Sequence, residues 1–206
     1  MTLFYEYLPR VNGQIRFLNA VPTTENIDIY IDNKLLYSNL AFGSVTHYIN
    51  MPANTYEIEI YDSKRHDKPL IRESITINPD SIQTVSITYE NKLVAFFTLD
   101  DSEPLTNPLL SFVRFINLSP TSPSLSLRLP VGTVMFDESP YLETNAYYPL
   151  SPGIYNFVVE ASDGSLEKYI NNVRLKPRMF VTIYIVGLIN GSPRIGYILT
   201  KDGNTN

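Results

Sequence analysis

Histidines, carboxylates and arginines are the residues with which this chain could do chemistry. It holds two histidines, His47 and His66, and no cysteine. Disulfides, thiolate metal centres and a cysteine nucleophile are therefore excluded. His47 alternates with Val45 and Ile49 along one strand face, with Tyr48 on the other, and reads as a strand residue near a sheet surface. His66 falls in the polar run Lys64-Arg65-His66, flanked by Asp62 and Asp67, and reads as part of a solvated loop. Two carboxylate sets offer oxygen ligands for calcium: Asp100-Asp101-Ser102-Glu103, and Asp28 with Asp32. Neither has the spacing of a calcium loop, and the first reads as a solvated linker. Glu57 and Glu59 alternate with Ile58 and Ile60, which turns both away from a core and suits solubilising residues better than an acid/base pair. A glycine-rich phosphate loop, a G-x-S-x-G elbow and a metalloprotease helix are all missing. The expectation is a protein that is not an enzyme, with no catalytic residue, no metal ligand and no cofactor.

The elements that must carry these residues are strands. The 206 residues are rich in Ile, Val, Tyr and Phe, with 15 Tyr, 10 Phe and no Trp, and 15 Pro punctuate them at short intervals. Short period-2 runs separated by turn residues fill the chain, and no window has a helical pattern. Asp32-Asn33, Asp163-Gly164 and Asn190-Gly191 are expected to supply the positive φ of tight turns, and MPANTY at 51–56 resembles another turn. The net charge of −5 and the nearly neutralised basic run argue against nucleic acid as a partner. The longest apolar run, FVTIYIVGLI at 180–189, is strand-length, so membrane insertion is not expected.

An internal repeat organises the chain. IRFLNAVPTTENIDIYI at 15–31 aligns with VRFINLSPTSPSLSLRL at 113–129, so that Arg16, Phe17, Asn19 and Pro22 recur as Arg114, Phe115, Asn117 and Pro120. Beyond a one-residue insertion, Phe42, Tyr48 and Tyr56 meet Tyr141, Tyr147 and Tyr155, whereas His47 meets Ala146. An activity common to both copies cannot use His47. Each copy holds seven or eight short strands in a length typical of a sandwich. The fold class is all-β: two tandem immunoglobulin-like, Greek-key type β-sandwich domains. The expected divisions are an arm at 1–13, one sandwich at 14–100, a proline-stiffened linker at 101–111, a second sandwich at 112–202 and a loose polar tail. The repeated Arg16 and Arg114 are expected to serve a structural ion pair rather than a ligand. The aromatic and apolar positions that recur are expected to form the core and turn of each sandwich.

The pattern R-F-x-N-x-x-P followed by I/L-x-I/L-x-I/L, then Asn39-Leu40-Ala41-Phe42-Gly43 and Pro52-Ala53-Asn54-Thr55-Tyr56, resembles the bacterial domain DUF4397. The second copy varies it as Glu138-Ser139-Pro140-Tyr141-Leu142 and Ser151-Pro152-Gly153-Ile154-Tyr155. The resemblance implies tandem sandwiches of a secreted or surface protein and no catalytic residues. The first residues, MTLFYEYLPRVNG, do not read as a secretory signal, so deposition on a spore surface from the mother-cell cytoplasm, a cytoplasmic location and the cell surface all fit.

Within the arm, Leu3, Tyr5 and Tyr7 alternate with Phe4, Glu6 and Leu8, and no counterpart exists in the second copy. Leu3, Phe4, Tyr5, Tyr7 and Leu8 are the candidate assembly residues, packing on their own domain or adding a strand to a neighbouring chain. Expected partners are a second copy of the chain or another surface-layer protein. The functional expectation is a non-catalytic structural protein of a bacterial surface or spore layer; the alternative is a carbohydrate- or small-ligand-binding module that uses exposed tyrosines.

Overall fold

A computed structural model describes residues 11–22, 26–102 and 107–203. The assembly arm Leu3, Phe4, Tyr5, Tyr7 and Leu8 lies outside the described residues. So does Pro104, one of the two prolines of the expected stiff linker.

The first unit contains β1 (Asn12–Asn19), β2 (Ile27–Ile31), β3 (Lys34–Leu40), β4 (Ile49–Pro52), β5 (Asn54–Asp62), β6 (Ile71–Ile77), β7 (Ile82–Glu90) and β8 (Leu93–Asp100). The second contains β9 (Ser111–Asn117), β10 (Leu125–Arg128), β11 (Val134–Ser139), β12 (Tyr148–Leu150), β13 (Gly153–Ala161), β14 (Glu167–Leu175), β15 (Phe180–Val186) and β16 (Gly196–Lys201). Four sheets result, ordered β4-β1-β7-β8, β3-β2-β5-β6, β12-β9-β15-β16 and β11-β10-β13-β14. β1 runs parallel to β7, and β9 parallel to β15; every other strand pair is antiparallel. Among the described residues no helix is long and apolar enough to cross a membrane.

Alternation explains the layers. In the first unit Ile15 and Phe17 of β1 meet Ile27, Ile29, Ile58 and Ile60 of the facing sheet. In the second, Val113 and Phe115 meet Leu125, Leu127, Phe157 and Val159. The other side of β1 is buried too, which is why the strand shows no exposed residue after Asn12. Leu18 and Leu99 of the first unit pack on Ile116, Tyr184 and Val186 of the second. The two sandwiches thus stack through the β1–β7 and β9–β15 sheets, giving four layers with three apolar seams.

The structure departs from the expected strands in instructive places. MPANTY, expected as a turn, does not join two strands of one sheet. β4 pairs with β1 while β5 pairs with β2 and β6, and only Ala53 separates β4 from β5, so this stretch carries the chain from one sheet to the other. The Tyr56 hydroxyl donates to the Pro52 carbonyl at 2.8 Å and pins the crossing. Tyr155 does the same to Ser151 at 2.8 Å. Asp32 and Asn33 do take positive φ, at 46° and 62°, and Gly164 takes 74°. At Asn190-Gly191 no positive φ occurs; Gly187 supplies it instead, at 92°, where an added Cβ would lie 2.6 Å from the Arg194 carbonyl oxygen. The expected strand over 45–50 begins only at Ile49, with Val45 making an isolated bridge to Leu18.

Candidate functional site

The repeated arginines meet between the two sandwiches. Phe17 must face the core, so alternation sends Arg16 outward, against the second unit; Phe115 does the same for Arg114. Both side chains are almost fully buried, at 4% and 3% exposure. Arg16 Nη2 donates to Asp202 Oδ1 at 2.5 Å, and Nη1 donates to the Lys201 carbonyl at 2.8 Å. Arg114 Nη2 donates to Asp101 Oδ1, and Nη1 to the Asp100 carbonyl at 2.7 Å. Each arginine therefore reaches the aspartate that follows the last strand of the other unit.

Matching residues complete each half. Arg16 Nε donates to Thr84 Oγ1 at 2.7 Å, and Arg114 Nε to Thr182 Oγ1 at 2.9 Å. The two threonine hydroxyls donate in turn to Asp101 and Asp202. Tyr48 donates to Asp101 Oδ2 at 2.8 Å and Tyr147 to Asp202 Oδ2 at 3.0 Å. Their rings lie under the guanidinium carbons of Arg16 and Arg114, 4.4 and 4.6 Å from the centroids. The cluster holds two guanidinium groups and two carboxylates, so its formal charges cancel.

Burial, and then the Asp101 carboxylate, hold the Tyr48 hydroxyl well above the ordinary phenol range. Burial and Asp202 do the same to Tyr147, and burial raises Tyr184, whose hydroxyl has no hydrogen-bond partner among the described residues. Burial and the nearby Asp202 push Asp101 up against the pull of Arg114 and Arg16. The four charged side chains are closed to solvent, at 4% exposure or less, while Tyr48 and Tyr147 are partly buried. The cluster can hold two units together.

The same comparison corrects the expected role of the recurring aromatics. Tyr48 and Tyr147 belong to the charge cluster, Phe42 packs into the seam between units, and the Tyr141 hydroxyl donates to the Tyr89 carbonyl across that seam at 3.1 Å. The recurrence therefore marks the contact between the copies as much as the core within each. Asn19 and Asn117 tie off their strands, each accepting from a backbone amide two residues on.

Asp101 is not part of a solvated linker; it is wholly buried. Asp202, the last residue of the expected second sandwich, is wholly buried too. Of the second calcium candidate, Asp28 accepts from the Asn39 amide at 2.7 Å while Asp32 accepts from the Glu57 amide at 3.0 Å, so each is committed to the backbone. Among the described residues no group of three or more His, Asp and Glu is gathered to hold a metal. His47 sits outside any regular strand and is exposed, contrary to its expected place on a strand face.

His66 is not simply part of a solvated loop, and Glu59 does not merely solubilise a face. On the outer side of the β3-β2-β5-β6 sheet, Asp28 lies opposite Tyr61, Tyr30 opposite Glu59, and Glu59 opposite Arg72. Glu59 is 2% exposed and accepts from Arg72 Nε at 2.7 Å and from the Tyr61 hydroxyl at 3.3 Å, both on Oε1. The His66 loop folds back so that Nε2 lies 2.9 Å from Asp28 Oδ2. The Tyr30 and Tyr61 rings meet edge to face at 5.3 Å, with His66 edge-on to Tyr30 at 6.2 Å.

Fold and cluster together define a pair of β-sandwiches locked by an internal, pseudo-symmetric charge cluster. Residues 13–128, more than half of the chain, match the family described as a domain of unknown function (DUF4397), and the chain belongs to that family. No curated protein matches. A crystal structure of a candidate adhesin from Bacteroides ovatus is 10% identical and covers 98% of each chain, with a TM-score of 0.21, too low to bear on fold or role.

Proposed function

We propose that the chain is a non-catalytic structural protein of a bacterial surface assembly, in which two DUF4397 domains in tandem act as one stiff spacer. The observation that carries this reading is the reciprocal exchange of arginines. Two sandwiches on a free linker would swing; here two cross-unit ion pairs and an apolar seam oppose any change of angle. A spacer in a layer needs that stiffness. The titratable groups of the cluster face one another rather than an opening, which supports the non-catalytic reading. The contacts such a spacer makes, with a second copy or another layer protein, fall to its free surfaces and to the arm. A spore layer is one surface that fits; the fold does not favour it over others.

The test joins two measurements. Residual dipolar couplings of the full chain should give one alignment tensor for both units, and protease treatment of intact producing cells should remove the protein from their envelope. Two unequal tensors, or a protein untouched by protease until the cells are lysed, would reject the proposal.

A further inference from the structure

The outer face of the first sandwich carries a second constellation that the spacer reading does not use. Tyr30 of β2, Glu59 and Tyr61 of β5 and His66 of the following loop surround a shallow depression of about 200 Å³, with Asp28 of β2 paired to His66. Asn33, in the β2–β3 turn, completes its rim. This is costly surface for a mere spacer. Two carboxylates, 5% and 2% exposed, have been placed on a sheet face that should be solvated, and each has been given a basic side chain as neighbour, His66 for Asp28 and Arg72 for Glu59. Among the described residues the second unit has nothing comparable: Ser126, Arg128, Val158 and Glu160 stand where the first has Asp28, Tyr30, Glu59 and Tyr61, and Tyr169 stands where it has Arg72, with a surface pair between Arg128 and Glu160. Packing of a sandwich therefore does not require the constellation.

The chemistry of the depression selects its occupant. An anion would face the Glu59 carboxylate, with the Asp28 carboxylate close behind His66. A cation would find Asp28 already beside His66, and Glu59 already held by Arg72. A neutral polyol fits both constraints. Glu59 is oriented by donors that converge on Oε1, which leaves Oε2 to accept from a hydroxyl. The Asn33 amide can donate and accept, and the ring faces of Tyr30 and Tyr61 offer apolar surface to the C–H face of a pyranose. We infer that the Tyr30–Tyr61–His66 face, with Glu59 and Asn33, is a saccharide-binding site that takes a single neutral sugar residue. This goes beyond the spacer reading and does not rest on it.

The test uses the full chain labelled with ¹⁵N. Methyl glycosides of glucose, galactose, mannose and N-acetylglucosamine are titrated in turn, with tetramethylammonium and inorganic phosphate as charged probes, and the labelled chain is also applied to a printed array of neutral oligosaccharides. At least one neutral sugar should give saturable shifts confined to residues 28–33 and 59–72. Tyr61→Ala should weaken that binding about tenfold, the loss of one ring contact. Asn33→Gly, which keeps the left-handed turn (φ 62°) and so the fold, should weaken it measurably as well. Silence in both titration and array overturns the inference. So does a response to tetramethylammonium or phosphate alone, or a sugar response that neither variant changes.

Discussion

Arg114 and Arg16 show how far a residue's value depends on its surroundings. On a solvated strand face an arginine–aspartate pair contributes little; here all four charges are out of water, and each has its hydrogen bonds satisfied. Removing one member strands the rest. Arg114→Met should therefore cost about 3–5 kcal/mol in chemical denaturation, because the buried Asp101 would lose its nearest cation. The tyrosines set a pH dependence. Their folded pKa values lie above the unfolded value of about 10, so the stability they contribute is complete below that pH and declines as pH rises beyond it. In that range Tyr48→Phe/Tyr147→Phe should flatten the fall of unfolding free energy by about 2.7 kcal/mol per pH unit, two protons' worth. An unchanged slope in alkaline urea titrations would show that neither hydroxyl is held protonated.

At the scale of elements, the crossing between sheets is the repeated device. Ala53 alone links β4 to β5, and the Tyr56 hydroxyl clamps the corner by reaching four residues back. Tyr56→Phe and Tyr155→Phe should each cost about 1 kcal/mol, one exposed hydrogen bond apiece, and the double variant should cost their sum because the corners lie in separate units. Much of this was legible beforehand. The period-2 runs located the strands to within a few residues because one face of each had to be apolar, and the fold class followed. The 45–50 run misled because alternation in Val45, His47 and Ile49 is also what an irregular loop crossing a sheet edge can show. Arg16 and Arg114 were visible through the repeat, but their acids were not. TLDD at 98–101 matches LTKD at 199–202 only after three residues inserted in the β15–β16 loop are allowed for, and acids beside a linker or tail look solvated. The Asp28, Glu59 and His66 grouping was out of reach for a different reason: it depends on a loop folding back over a sheet, which no spacing encodes.

For the whole molecule the seam matters more than the linker. Leu18, Leu99, Ile116, Leu118, Tyr184 and Val186 make a third apolar core that neither unit owns alone. Differential scanning calorimetry should accordingly show one cooperative transition for the full chain, and Arg16→Met should split or broaden it by loosening one unit from the other. Two separate transitions in the unaltered chain would show that the units unfold independently. The exchange of arginines also has a consequence in time. Asp202 is joined to the chain 186 residues after Arg16, so the first sandwich can complete its own core and its own strands long before its arginine has its final acceptor. During that interval the face bearing Leu18, Phe97 and Leu99 is uncovered, and Asp101, 3.5 Å from Arg16 in the finished structure, is the acid at hand to shield it. Asp101 is thus the only one of the cluster's two acids that precedes the second sandwich in the chain, and the crossed pairs close only once Asp202 has been added.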